Sequence, residues 1–149
     1  MRIGWSLERP HWDHLIQYDL AARWKRVPFN DVNASSVPTK PGVYVIGATV
    51  PNHHLWAGLN NPLKKIWAPL YVGKSDTSIR VRFRNHCNNP AELMQKARRC
   101  FADAGLEFWW VELDPINIRE IENALITAFG PPVNKVYSIQ AKIMKSVRA

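Results

Sequence analysis

A chain of 149 residues, 46% hydrophobic and 21% charged, is long enough for one domain with its own core and too apolar for a disordered segment. Twenty Lys and Arg against twelve Asp and Glu give a net charge of +8 and a pI near 9.8, which favours a polyanionic partner, most simply nucleic acid. No apolar run reaches the roughly 18 residues of a membrane span, and no basic amphipathic helix stands out for a membrane surface.

The opening MRIGWSLERPHWDH lacks the uncharged apolar stretch of a secretory signal. Cys87 and Cys100, thirteen positions apart with no CxxC, read as reduced thiols of a cytoplasmic protein and not as a zinc ribbon.

Residues 1–35 read as an N-terminal helical extension. In LIQYDLAARWKRV, Leu15, Tyr18, Ala22 and Trp24 fall at roughly helical spacing, and the turn-rich PFNDVNASSVPTKPG ends the helix. KPGVYVIGA then leads from a turn into a strand over 42–49, and LYVGKS is a second strand over 69–73. Residues 51–67 between them exceed the about 2–5 residues of a hairpin loop and count as an insertion. It carries His53, His54, Trp56, Lys64, Lys65 and Trp67. Such a mixture suits a nucleic-acid backbone and its bases, or a loop that packs its own tryptophans onto the sheet.

Asp76, Thr77 or Ser78 caps a helix that runs through His86. NPAELMQKARRCFADAG, residues 89–105, is a second helix with Pro90 in its first turn, Gly105 as terminator and a stripe of Met94, Ala97, Phe101 and Ala104. LEFWWVEL, residues 106–113, is a third strand. Asp114-Pro115 starts a helix that reaches Phe129 and stops at Gly130-Pro131-Pro132. Residues 136–149 form a weakly helical tail. This order predicts an α+β domain, a small mixed or antiparallel sheet flanked by helices, with the first two strands adjacent.

Two helices carry charge where a core stripe belongs. Ile79, Arg82, Phe83 and His86 share one face, so Arg82 and His86 point into a cleft or Arg82 snorkels to water. Arg80 and Arg84 lie off that stripe, as solvated or phosphate-facing charges. Ile118, Ile121, Leu125, Ile126 and Phe129 make the apolar face of the last helix, and Glu122 falls inside it. A carboxylate at a core edge needs a cation or a metal, which makes Glu122 the best candidate for a metal ligand and a buried salt bridge to Arg82 the competing reading.

With Tyr44 and Tyr71, these residues suit phosphodiester hydrolysis. A carboxylate can hold one hard divalent ion, an arginine can clamp phosphate, and a tyrosine can serve as base where positive charge lowers its pKa. Lys74, Arg82 and a metal are the available charges. No Ser or Cys has an evident relay, and the five histidines lack an HExxH spacing.

The ordered set resembles the GIY-YIG nucleases. Gly42-Val43-Tyr44 matches the first motif with Val for Ile, and Tyr71-Val72-Gly73 matches the second. Arg82 and His86 follow Tyr71 by eleven and fifteen positions, and Glu122 opens ENALITAFGPPVN, which ends at Asn134. The likeness covers residues 41–135, within a domain read as 36–135. It implies a three-stranded antiparallel sheet and hydrolysis of DNA with one Mg²⁺ or Mn²⁺ on Glu122. Tyr44 would be the base, Arg82 would hold the phosphate, and Tyr71 and His86 would position groups around the water. Gly42, Gly73 and Asn134 would support the site, and Lys74 would help to depress a tyrosine pKa. Lys74, Arg80, Arg84, Lys64 and Lys65 are the expected contacts to DNA, with RNA the lesser alternative. With no recognisable separate DNA-binding domain, specificity falls to the insertion, the termini, a homodimer or a partner. A non-catalytic nucleic-acid-binding module on a nuclease scaffold is the competing function.

Overall fold

The computed structural model describes residues 23–51, 65–100 and 105–134. The helix read over residues 15–22, His53, His54, Trp56 and Lys64 of the insertion, Phe101, Ala104 and the tail lie outside them.

Among the described residues four strands form one antiparallel sheet: β1 (Lys25–Pro28), β2 (Gly42–Pro51), β3 (Lys65–Ser75) and β4 (Gly105–Glu112), in the order β1-β4-β2-β3. The predicted three strands are therefore one too few. The fourth is Lys25–Pro28, of which the helical spacing of LIQYDLAARWKRV places Lys25–Val27 inside a helix and Pro28 in the connector that ends it. Tertiary pairing overrides that spacing: Lys25 to Pro28 align with Trp110 to Glu107, and Phe29 beyond them is buried in the core. A 3₁₀ turn over Asp31–Ser36, capped by the Asn30 side chain, then carries the chain to β2.

β2 and β3 are neighbours as expected, but longer. Their ladder continues to Pro51 opposite Lys65, so both ends of the stretch read as an insertion belong to the hairpin. Opposite Ile46 and Gly47 the register skips Leu70, a bulge in β3. Consecutive Leu70 and Tyr71 both join the same face of the sheet there, which regular alternation forbids.

Strand alternation sorts the core into two layers. Tyr44, Ile46, Phe108 and Trp110 face Ile79 and Phe83 of α1 (Ile79–Asn88) and Met94 of α2 (Glu92–Cys100). Val43, Val45, Val72, Trp109 and Val111 face Ile118, Ile121 and Leu125 of α3 (Pro115–Phe129). α1 and α3 take caps that the sequence offers, whereas Gly105, read as the terminator of the second helix, is the first residue of β4, where it pairs with Thr49. Ser78 Oγ accepts from the Val81 N–H, Asp114 Oδ1 accepts from the Ile116 N–H, and α3 ends at Gly130 with φ 54°, in the left-handed region. Among the described residues no helix is long and apolar enough to cross a membrane.

Candidate active site

The cleft begins with a register. Tyr44 stands opposite Gly73, and Tyr71 stands opposite Ile46, so the two phenols are diagonal neighbours on one face. Their ring centroids are 6.1 Å apart. Gly73 makes this possible: a Cβ there would come within 2.5 Å of the Tyr44 Cζ and hydroxyl and 2.8 Å of Tyr71 Cε1. Gly73→Ala is therefore expected to displace both rings. The crowding should cost about 1–3 kcal/mol of stability, which a denaturation measurement would check. Gly42 is equally confined, since a Cβ there would collide with the Val111 carbonyl oxygen and lie 2.7 Å from Ile79 Cδ1.

α1 crosses above the phenols and brings His86. Its Nε2 lies 2.9 Å from the Tyr44 hydroxyl, and its ring meets Tyr71 edge-on at 4.9 Å between centroids. One face of α1, Arg82, Asn85 and His86 at i, i+3 and i+4, lines the cleft together with its C-cap residue Asn89. The sequence reading placed Arg82 and His86 there and missed Asn85 and Asn89, although their spacing was the available signal.

Glu122 arrives from the other layer. α3 packs on the opposite face of the sheet, but β3 is an edge strand, so Glu122 and Lys74 reach the same cleft around its edge. Tyr44, Tyr71, Arg82, His86 and Glu122 thus line one open cavity of about 370 Å³. The Glu122 side chain makes no ion pair with any described residue, and the competing salt bridge to Arg82 does not form. Lys74 Nζ is instead 2.6 Å from Asp76 Oδ2.

The electrostatics depart from expectation at the phenols. Burial pushes Tyr44 well above the ordinary phenol value, its neighbour Tyr71 adds to the rise, and Arg82 pulls it back. Tyr71 is raised too, again chiefly by burial. Lys74 is the largest of the charges that oppose the rise in Glu122. Burial raises the Glu122 carboxyl, and nearby Asp76 works in the same direction. Burial, Arg82 and Arg98 together lower His86 to about 4, so it is neutral at pH 7.

That neutrality has a cost in acid. A histidine whose folded value lies below its unfolded value of about 6.5 destabilises the fold as pH falls through that window. Between pH about 6.5 and about 4 the protein should lose up to about 3 kcal/mol through His86. The raised Glu122 works the other way and blunts the net loss. Comparing melting temperature against pH for wild type and His86→Gln isolates the histidine: the variant's acid limb should be flatter.

The remaining site residues divide clearly. Asn134 is buried, its Oδ1 accepting from the Val72 N–H at 2.9 Å and its Nδ2 donating to the Val72 carbonyl at 2.7 Å. Arg80 spends its guanidinium on the Val37 and Ser35 carbonyls at 2.7 and 3.1 Å, holding the 3₁₀ turn against α1, which leaves it poorly placed for phosphate. Arg84 is exposed, Lys65 lies in the β3 backbone, and Lys64 is outside the described residues. Arg98, absent from the sequence reading, sits 4.7 Å above the Phe29 ring and donates to the His86 carbonyl at 3.4 Å. No local pattern announces it, because its partners lie on other elements.

Compared with protein-family models, curated proteins and solved structures, the chain matches none.

Proposed function

We propose that the chain is a metal-dependent DNA endonuclease of GIY-YIG type. The convergence of Tyr44, Tyr71, Arg82, His86 and Glu122, from two strands and two helices, on one open cleft of a strongly basic protein carries this reading.

The cleft fits a single hard ion. Glu122 is a half-buried carboxylate without an ion-pair partner among the described residues, in a place where burial makes its charge costly. No group of three or more His, Cys, Asp or Glu accompanies it among the described residues, so water and phosphate oxygens would complete the shell of Mg²⁺ or Mn²⁺ on Glu122. Bound there, the ion supplies charge for the phosphoryl transition state and acidifies water.

The side chains do the rest. Arg82, exposed at the cleft, takes a non-bridging phosphate oxygen. Tyr44 is too far raised to stand as a phenolate, but it need not. In the tautomer with the ring proton on Nδ1, it accepts the proton of the attacking water and passes its own to His86 Nε2, 2.9 Å away. Burial is the larger cause of the lowered His86 value and Arg82 a further one; a phosphodiester against Arg82 offsets that second contribution, which favours this transfer. Tyr71, against the His86 ring and on the same cleft as Glu122, orders the water.

The test is a supercoiled plasmid incubated with purified protein, with Mg²⁺ or with EDTA. Nicking or linearisation that requires the ion supports the nuclease. DNA that is bound, released by salt and never cut would favour a binding module instead.

A further inference from the structure

Beside the cleft lies a second hollow, of about 450 Å³, whose shared wall is Tyr71, His86, Ala91 and Glu122. Its own floor is apolar: Met94 from α2, Ile126 from α3 and Val133 after it. Asn134 also lines it, but both ends of that amide are committed to Val72. Asn123 at the rim is exposed, and its amide is uncommitted among the described residues.

A phosphate or a cation gains nothing from such a floor. A nucleobase does, because its flat faces favour burial while its edge seeks a hydrogen-bonding group such as the Asn123 amide. The base of a nucleotide is also tethered one sugar away from its phosphate, and one wall separates the hollow from the phosphate cleft.

We propose that this hollow binds the nucleobase next to the scissile phosphate, turned out of the helix, so that the preferred substrate is DNA with an unpaired nucleotide at the cleavage point. The inference rests on the nuclease reading and adds a substrate class to it. A paired base is held by its stack and its complement and enters only at the cost of breaking both, whereas an unpaired one enters with little loss.

Binding is measured in EDTA, so that no cleavage is needed. The probes are DNA duplexes carrying 2-aminopurine either paired with thymine or as a single unpaired nucleotide, read by its fluorescence and by affinity at fixed salt. The wild type should bind the unpaired probe about tenfold more tightly and change its fluorescence on binding. Asn123→Trp, at an exposed helix position, closes the mouth of the hollow and should bring the ratio to about one. Equal affinities in the wild type, or a preference that Asn123→Trp leaves intact, would overturn the proposal. If the protein cuts plasmid with Mg²⁺ yet shows equal affinities, the base hollow alone fails. If it prefers the unpaired probe yet cuts no DNA, the hollow stands and the nuclease reading fails.

Discussion

Glu122→Gln is expected to lose Mg²⁺-dependent DNA cleavage by at least about 10²–10³-fold while keeping the fold. The side chain has no ion pair among the described residues to break, and glutamine keeps its volume. Its folded carboxyl is raised by burial, so the folded state gains stability from that group as pH falls and carries a cost from its charge at neutral pH. Removing the charge should therefore leave the metal-free melting temperature unchanged or higher. Mg²⁺ should raise the melting temperature of the wild type and not of the variant, because an ion that binds only the folded state stabilises it by mass action. Cleavage that survives the substitution would remove Glu122 from the chemistry and with it the single-ion mechanism.

The largest effect on stability is expected at Asn134. Among the described residues β3 is the edge of the sheet, and the outward N–H and C=O of Val72 meet no strand. Asn134 answers both with one amide, and the Val133 N–H donates to the Leu70 carbonyl at 3.0 Å, so the segment after α3 closes the edge in place of a fifth strand. Asn134→Ala strands two backbone groups with Val72 itself wholly buried. About 2–4 kcal/mol should be lost, read as a lower urea midpoint with an unchanged slope. Tyr71 adjoins Val72, so the variant's residual activity should fall as well. An unchanged midpoint would show that water replaces the amide at this edge.

Local signals were legible wherever local physics decides. Asp114, Pro115 and Gly130 bound α3 as the sequence places them, and Ser78 was among the three candidates to cap α1, because capping is settled within a turn of the chain. The spacing of Arg82 and His86 put them on one face of a helix, and the structure brings both to the cleft. Lys25–Pro28 was misread because its neighbour, β4, lies about 80 residues downstream, and helical spacing carries no trace of such a partner. The strands on either side of residues 52–64 were cut short for a related reason: Pro51 and Lys65 join the ladder by pairing with each other and not by their own preference.

The sequence by itself determined the identity and order of the polar groups, the caps that start α1 and bound α3, and the alternation that turns Tyr44 to one face and Val43 and Val45 to the other. These depend on neighbours within a few residues. Only the tertiary structure decided the rest. It decided that Tyr44 faces Gly73, that Glu122 rounds the edge of β3 to reach the layer opposite its own, that Lys74 serves Asp76, and that burial raises both phenols and lowers His86. Desolvation and charge act through space, and the distances through which they act exist only once the sheet has set its register and the helices have packed upon it.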